Sequence, residues 1–433
     1  MSTPPVPPKP MTRALNCPQC GAALVLRSMD RAVSIVCENC HSILDAKDPN
    51  LKIVQRFEAA LGEDRPLIPL GTRGKIRGTD YEVIGFQRRT ITEDGIDYSW
   101  HEYLLFNPFK GFRYLTEYNG HWNDVAPVTG LPTADGMHAQ YLGKSYKHFQ
   151  TATARTTFVL GEFPWQVRIN EKALCYDYVS APFMLSSEVM ANETTWSLGE
   201  YVSGTDIWKN FKLPGSPPAP IGVYEDQPSP LGAKAGAIWL TFVLLVSALL
   251  VVFIADAAIS SRDVVFRQNY AFLQNTPGQE PSFVTPVFEL KGRTSNIEVE
   301  TTASINNQWI YLNYALINDE SGQAYDFGRE VSYYHGYDSD GSWTEGKRDD
   351  SVYVPSVPSG RYYLRVEPES EKQFGPIQYS VTVTRDVPVM SLYLVALIAL
   401  LFPALLISWR TFNFEQMRWA ESDHPLVKYN SSD

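Results

Sequence analysis

Residues 235–255 read AGAIWLTFVLLVSALLVVFIA, and this stretch divides the chain into two parts. It contains 21 uncharged, mostly apolar residues between Lys234 and Asp256. As a helix it would extend roughly 30 Å, which is long enough to cross the hydrocarbon core of a bilayer. Trp239, near its start, suits an interfacial anchor. The stretch therefore predicts a first transmembrane helix over 235–255.

A second apolar run lies between Asp386 and Arg410 and predicts a second transmembrane helix over 388–409, kinked at Pro403. The alternative is a pair of buried helices in a soluble protein. Two charge-free runs of this length rarely occur in globular cores, so the membrane interpretation is favoured. Two spans place both chain ends on one side of the membrane and residues 257–385 on the other.

Four of the five cysteines form two Cys-x-x-Cys pairs, CPQCG at 17–21 and CENCH at 37–41. This spacing lets two knuckle turns deliver four thiolates to one tetrahedral ion. It predicts a zinc ribbon over 14–45 whose ligands are Cys17, Cys20, Cys37 and Cys40. Redox-active thiols are the alternative, but they need a thioredoxin-like βαβ setting. A site with four sulfur ligands is closed, so we expect structural zinc, with His41 as a neighbour.

The thiolate site also bears on topology, because thiols stay reduced most easily in the cytosol. Lys234, Arg410 and Arg418 favour the same side for both chain ends. We expect a protein that crosses the membrane twice, with the N-terminal part and the tail 410–433 in the cytosol. Residues 257–385 would then be extracytoplasmic. Whether they face a periplasm or the cell exterior stays open.

Charge and composition limit the class of partner. The chain of 433 residues has a net charge of −11, and its Lys and Arg residues are not clustered. Neutralising nucleic-acid phosphates needs clustered cations, so a nucleic-acid binder is disfavoured. The apolar content of 44% supplies material for hydrophobic cores. The expected partners are therefore the membrane and proteins at the membrane.

Alternating apolar and polar segments, bounded by Gly, Asp and Asn, fill residues 65–212 and predict antiparallel strands. The sequence GKIRGTDYEVIGF at 74–86 is weakly echoed around 143–163, which leaves an internal duplication open. Prolines crowd residues 213–233 and predict a stiff, extended linker before the first span. The fold class is thus mainly β, with a cytosolic β-rich domain behind the ribbon.

Residues 263–386 alternate in the same way, and they predict an extracytoplasmic β-sandwich between the two spans. Within them, the sequence Asp338-Ser339-Asp340-Gly341 resembles a fragment of a calcium loop. The downstream Glu of such a loop is missing, and Asp-Gly is also ordinary turn chemistry. Calcium binding at Asp338 and Asp340 stays open.

Aromatic and acidic side chains interleave in the β-rich domain and form a second candidate site. Carboxylates beside aromatic rings suit a cationic ligand, since the ring faces add cation–π attraction to charge pairing. Core packing is the competing interpretation, because strand aromatics are more often core. The candidate ligand-binding residues are Trp100, Glu102, Glu162, Trp165, Trp196 and Glu200. No catalytic residue stands out.

Several blocks of this domain resemble the bacterial family called domain of unknown function 4178. The blocks are GTRG at 71–74, YEVIGF at 81–86, WHEYLLF at 100–106, GEFPW at 161–165 and WSLGEY at 196–201. The resemblance implies a β-rich domain over roughly 65–212, and it supplies no catalytic residues. Members tend to be encoded near polyamine aminopropyltransferase-like and phage-shock-type membrane-maintenance proteins. The resemblance therefore implies, as expectations, a location in the bacterial inner membrane and a polyamine or envelope-stress role.

Three functions stay open from the sequence. The first is a non-enzymatic, membrane-anchored scaffold or sensor in membrane maintenance or envelope stress, in which the ribbon and the β domain recruit a partner. The second is a polyamine-binding module built on the acidic and aromatic cluster. The third is a membrane-associated enzyme, which is less supported because no acid–base pair, nucleophile or open metal site is recognisable.

Overall fold

The computed structural model describes residues 13–28, 31–57, 65–191, 193–273, 282–371 and 375–427. They fall into two compact units, of which one comprises Met1–Ala237 with Leu405–Asp433 and the other Ile238–Ala404. Both units are built mainly from antiparallel strands, as the alternating sequence predicts.

A small cysteine-bearing module opens the first unit. Its strands are β1 (Arg13–Asn16), β2 (Ala23–Leu26), β3 (Ser34–Val36), β4 (Ser42–Asp45) and β5 (Ile53–Arg56). β1 pairs with β2, while β3, β4 and β5 form an antiparallel run. The module has its own core, which contains Leu24, Ile35, Leu44, Leu51, Cys17 and Cys37. Its two hairpins carry one cysteine pair each.

The next strands build a closed barrel. They are β6 (Arg73–Ile76), β7 (Thr79–Glu93), β8 (Ile96–Asn107), β9 (Gly111–Tyr118), β10 (His121–Pro127), β11 (Thr133–Ala134), β12 (His138–Tyr141), β13 (Lys144–Phe163), β14 (Lys172–Ser180), β15 (Phe183–Met190) and β16 (Glu193–Val202). The order around the barrel is β7, β8, β9, β10, β16, β15, β14, β13, and β13 pairs back onto β7. Closure removes the free edges of an open sheet.

The barrel has two halves with the same order of elements. β6–β10 and β12–β16 each begin with a short strand, a tight turn and a long strand, and each ends in three meandering strands. The turns Arg77-Gly78 and Leu142-Gly143 have positive φ at both residues, as in type I′ hairpins. The halves meet through equivalent strands, β7 on β13 and β10 on β16, and Gly85 pairs with Gly161. This topology supports the duplication that the sequence echo raised.

The cysteine-bearing module continues the barrel wall. β3 pairs with β13, so that Val36 lies opposite Gly161 and Ser34 opposite Phe163. Because Gly161 also pairs with β7, the module, the first half and the second half of the barrel meet at one point on β13.

Helix α1 (Gly204–Phe211) follows the barrel and packs on it. The Ser203 hydroxyl accepts a hydrogen bond from the Thr205 amide and caps the helix. The buried face of Ile207, Trp208 and Phe211 joins a barrel core that includes Trp122 and Tyr103.

The proline-rich stretch after α1 also lies on the barrel. The Ile221 amide donates to the Asn119 carbonyl, and the ring of Tyr224 stacks on that of His121 at 5.5 Å. Asp226 is completely buried. Much of the predicted linker over 213–233 is therefore packed against the barrel, because backbone and ring contacts hold it there.

Two long apolar helices follow, α2 (Gly232–Ile259) and α3 (Met390–Arg418). Both are long and apolar enough to cross a membrane. α2 buries none of its residues, and Pro403 lies inside α3 as predicted. α3 extends beyond the predicted span 388–409, so the first residues of the predicted tail 410–433 are helical.

The strands of the second unit form two sheets around one core. They are β17 (Asp263–Phe272), β18 (Phe283–Val284), β19 (Phe288–Leu290), β20 (Ser295–Ala303), β21 (Gln308–Asn318), β22 (Ala324–Asp338), β23 (Gly341–Gly346), β24 (Asp349–Val357), β25 (Gly360–Glu369) and β26 (Ile377–Arg385). One sheet has the order β17, β26, β20, β24, and the other is centred on β25 and β21. Ile297 and Val383 from the first sheet share a core with Leu312 and Leu364 from the second. This is a sandwich arrangement.

The Asp338–Asp340 turn connects β22 and β23 in that unit. The Asp338 carboxylate accepts a hydrogen bond from the Asp340 amide at 3.0 Å, and both residues are exposed. Among the described residues, no third metal-ligating side chain joins them. The geometry is that of an ordinary capped turn.

Gly161 gives a test of the close approach between the two halves. A Cβ atom there would lie 2.2 Å from the Ile84 carbonyl oxygen, and φ is +82°. We expect Gly161→Ala to lower the free energy of unfolding by more than ~2 kcal/mol, since a clash adds to the left-handed backbone strain. Thermal unfolding of the full chain in detergent measures this.

Gly143→Ala is the matched control, because Gly143 has a φ of +75° and nothing within 4 Å of the added Cβ. It should cost only the ~1–2 kcal/mol of a left-handed residue. Equal losses in the two variants would contradict the close approach at Gly161.

Candidate functional site

The two cysteine pairs form matching knuckles. In the first, the Gly21 amide donates to the Cys17 carbonyl at 2.9 Å; in the second, the His41 amide donates to the Cys37 carbonyl at 2.9 Å. Gly21 and His41 have positive φ values of 76° and 51°, respectively. Both pairs therefore have the same local geometry, and each turn presents its sulfur atoms on one side.

The four sulfur atoms converge. The distance between the sulfurs of Cys17 and Cys40 is 3.7 Å, and that between Cys20 and Cys37 is 3.6 Å. All four ligand atoms lie within 4.8 Å of one another. A tetrahedron with metal–sulfur bonds of about 2.3 Å has edges of about 3.8 Å. The four cysteines can therefore hold one metal ion in a closed site.

His41 lies beside this cluster and packs against the barrel. Its ring stacks on Phe57 at 5.4 Å and meets the ring of Phe158 edge-on at 5.7 Å. Phe158 belongs to a barrel core. The histidine thus contributes to packing between the cysteine-bearing module and β13.

The barrel encloses a cavity of about 860 Å³. Successive side chains of a strand point to opposite faces, so every second residue faces the interior. The cavity lining includes Gln87 and Arg89 on β7, Trp100 and Glu102 on β8, Tyr114 on β9, Cys175 and Asp177 on β14 and Glu188 on β15. Glu225, from the stretch after α1, also lines the cavity.

Acidic side chains dominate the charge of the lumen. Of the described residues that line the cavity, eight are acidic, and Arg89 and Lys172 are the basic ones. The acidic residues are Glu93, Glu102, Glu171, Asp177, Glu188, Glu193, Glu225 and Glu421. The lining thus carries more carboxyl groups than its own cations can neutralise.

Lumen neighbours hold the Glu102 carboxylate in place. Trp100 Nε1 donates to one of its oxygens at 2.7 Å, and Gln87 Nε2 donates to the other at 2.5 Å. Arg89 Nη1 lies 3.4 Å from both oxygens of Glu188, and its Nε has no hydrogen-bond partner among the described residues. The lumen therefore contains both satisfied and incompletely satisfied polar groups.

Burial raises the pKa of several lumen carboxyl groups. The pKa of Asp177 is raised to about 6, mainly by burial and further by the charge of Glu188, while hydrogen bonds from Ser186 and Gln150 oppose the rise. Burial also raises the pKa of Glu188, against the attraction of Arg89. The pKa of Glu225 is raised well above its usual value by burial and by neighbouring carboxylates. A negative charge is therefore costly at these positions.

Four of the six predicted ligand-binding residues lie at this cavity. Trp100, Glu102, Trp165 and Trp196 line it. Trp196 lies on β16, where its ring stacks on Tyr178 at 6.1 Å and packs in a neighbouring hydrophobic cluster. Binding and packing interpretations therefore both apply to this set.

The structure places the other two predicted residues, Glu162 and Glu200, away from the cavity lining. Glu162 is 1% exposed and accepts hydrogen bonds from the amides of Arg27 and Ser28 and from the Ser28 hydroxyl. Glu200 forms an ion pair with Arg77. Glu200 is held in that ion pair, whereas Glu162 is fixed in the contact between β13 and the cysteine-bearing module.

The sequence interpretation missed Gln87, Arg89, Glu225 and Glu421. Gln87 and Arg89 pair across the strands with Glu102 and Trp100, so a hairpin alignment of β7 and β8 would have found them. Glu225 and Glu421 lie outside the strands, and no local pattern links them to the barrel.

Part of the chain matches a known protein family, for which the family description gives no activity. Residues 69–204 match the family described as Domain of unknown function (DUF4178), which confirms the resemblance for about a third of the chain. No curated protein matches the chain.

Two solved structures of infectious bursal disease virus are similar at 10% identity. The match to the Gx strain structure covers 86% of this chain and 69% of the viral chain. The match to the Gt strain structure covers 82% of this chain and 65% of the viral chain. Both have a TM-score of 0.16, which gives no information on fold or function.

The cysteine cluster predicts a measurable metal content. We expect the purified full chain to contain one equivalent of metal, and Cys37→Ser to lose most of it, because a four-sulfur site with a missing thiolate binds far more weakly. Elemental mass spectrometry measures both the amount and the element. Cys175→Ser is the control and should keep the metal, since Cys175 lies in the barrel. Equal metal content in the two variants would contradict the site.

Proposed function

We propose that the barrel binds a small organic polycation of the polyamine class, and that the chain is a non-enzymatic receptor anchored by two membrane spans. The observation that carries the proposal is the excess of carboxyl groups in the lumen, eight against two basic side chains among the described residues that line it. A cation in the lumen would neutralise Asp177, Glu188 and Glu225, where burial makes a negative charge costly. The exposed carboxylates of the lining, Glu93, Glu171, Glu193 and Glu421, would add attraction for a cation.

The spacing of the carboxylates suits a ligand with several amines. Asp177 pairs with Ser186, and Cys175 pairs with Glu188, so Asp177 and Glu188 are diagonal neighbours on β14 and β15. Such residues are roughly 7–8 Å apart. An amine chain with a few methylene groups between its nitrogens can contact more than one of these carboxylates.

Aromatic side chains complete a site of this type. Trp100, Tyr114 and Trp165 line the same cavity as the carboxylates. Aromatic faces attract ammonium groups and also pack against methylene groups. Recognition would therefore combine charge pairing with apolar contact along the ligand.

The lumen thiol does not favour nucleophilic catalysis. Cys175 is buried, and burial raises its pKa, so the reactive thiolate is suppressed. We propose binding without covalent chemistry.

The cysteine cluster and the helices complete the proposal. We propose that zinc occupies the four-cysteine site in a structural role, because zinc favours tetrahedral sulfur coordination. The ribbon and barrel would lie in the cytosol of a bacterium and residues 257–385 outside it. In this arrangement the receptor links a cytosolic ligand to an envelope domain, which suits a role in membrane maintenance.

Spermidine binding tests the lumen. We expect isothermal calorimetry on the full chain in detergent to detect binding, and Asp177→Asn to weaken it about 10- to 100-fold, as for the loss of one charged hydrogen bond. The affinity should rise between pH 5 and pH 7.5, because the pKa of about 6 leaves Asp177 protonated at the lower value.

The same variant should be more stable than the wild type without ligand. Burial raises the pKa of Asp177, so its ionised form destabilises the fold near neutral pH, and the amide removes that cost. We expect a Tm higher by about 2–4 °C, corresponding to ~1 kcal/mol. Glu200→Gln is the control and should leave spermidine affinity unchanged. No heat of binding with the wild type would refute the proposed function.

The topology can be tested by cysteine labelling in intact bacteria. Tyr337 and Phe109 are highly exposed, at 85% and 69%. We expect a membrane-impermeant maleimide to label Tyr337→Cys in whole cells and Phe109→Cys only after lysis. The reverse pattern would invert the proposed orientation, and labelling of both in whole cells would exclude a cytosolic barrel.

A further inference from the structure

The segment that follows α3 lies on the barrel. Residues 419–424, here called the C-terminal strap, come directly after Arg418, the last residue of that helix. Ala420, Glu421 and Ser422 line the cavity. The strap therefore contributes one of the eight lumen carboxylates.

The strap occupies part of an edge of β13 that has no strand partner among the residues that the structure describes. On this edge β12 pairs with β13 up to Lys147, and β7 pairs from Thr156 onward. In the interval, the Asp423 amide donates to the Phe149 carbonyl at 2.9 Å, and the Thr151 amide donates to the Asp423 carboxylate at 2.9 Å. Asp423 thus satisfies backbone groups that a neighbouring strand would otherwise pair with.

Ring contacts seat the strap on both sides of Asp423. The Trp419 ring, 9% exposed, lies 5.4 Å from that of Phe149 and beneath the Lys147 ammonium at 4.2 Å. His424 Nε2 is 3.0 Å from His148 Nδ1. These contacts all lie on one short stretch of β13, so the strap can be held or released as a unit.

Arg418 connects the strap to Glu225, another residue outside the strands whose side chain lines the cavity. Its guanidinium donates to the carbonyls of Glu225 and Gln227 at 2.7 and 2.6 Å, and so brackets the buried Asp226. Glu225 and Glu421 both line the cavity. The end of α3 and two lumen carboxylates therefore belong to one contact network.

We propose that the C-terminal strap is a gate of the lumen that a bound polycation holds shut, which couples ligand occupancy to the end of α3. This inference rests on the proposed function. A cation that contacts Glu421 interacts with it only while the strap is seated. By linkage, the ligand must then stabilise the seated strap as much as the seated strap stabilises the bound ligand.

Hydrogen exchange on the full chain in detergent, with and without spermidine, tests the gate. We expect spermidine to slow exchange in peptides covering 148–152 and 419–424. Asp423→Ala removes the carboxylate that accepts from the Thr151 amide and keeps the backbone amide, so exchange of Thr151 and the strap should be roughly 10- to 100-fold faster and spermidine affinity lower. Asp80→Ala, an exposed residue of β7 outside the cavity lining, is the control and should change neither.

Glu421→Gln separates the gate from general destabilisation. It should weaken spermidine binding while leaving exchange of the strap in the ligand-free chain unchanged. If spermidine binds the wild type but leaves strap exchange unchanged, or binds Asp423→Ala equally well, the gate is refuted and the proposed function stands. If the wild type binds no spermidine, the proposed function is refuted, and the gate with it.

Discussion

The pairing of β7 with β13 closes the barrel, and most other features of the first unit depend on it. The pair of Gly85 and Gly161 lies where the two strands meet, and a side chain at Gly161 would collide with the backbone of β7. Closure creates an interior lined by alternate side chains. Because β7 pairs only with the part of β13 from Thr156 to Gly161, the rest of β13 can have other partners. β3 pairs with Gly161 to Phe163, and Asp423 of the strap contacts Phe149 and Thr151.

The charge of the lumen opposes the stability of the barrel. Carboxyl groups such as Asp177 and Glu225 are surrounded by protein, and their raised pKa values report the cost of ionising them there. A core selected only for stability would carry apolar residues at these positions. Arg89 offsets part of the negative charge but approaches Glu188 only at 3.4 Å. Retaining the acidic groups is physically reasonable if a cation neutralises them in use.

The sequence predicted the parts that rest on local chemistry. Two Cys-x-x-Cys pairs converge because each knuckle needs only a short turn, and the apolar runs form helices because their length and composition leave few alternatives. Alternation brought Trp100 and Glu102 to the lumen. What local patterns could not give was closure, because Gly85 and Gly161, which pair with each other, are far apart in the sequence. Glu162 illustrates the limit, since its partners Arg27 and Ser28 are distant in sequence.

The residues that follow α3 contribute Glu421 to the cavity lining, so the end of this helix is connected to the barrel. If α3 were followed by a tail that made no contact with the barrel, the end of the helix could move without affecting the barrel. Here Arg418 binds the carbonyls beside Asp226, and Asp423 completes the exposed edge of β13. Moving the end of α3 away from the barrel would therefore break these contacts and change the lining of the lumen. A ligand that neutralised both Glu421 and Glu225 would strengthen the same contacts. Ligand binding in the lumen and the position of the end of α3 would then be coupled.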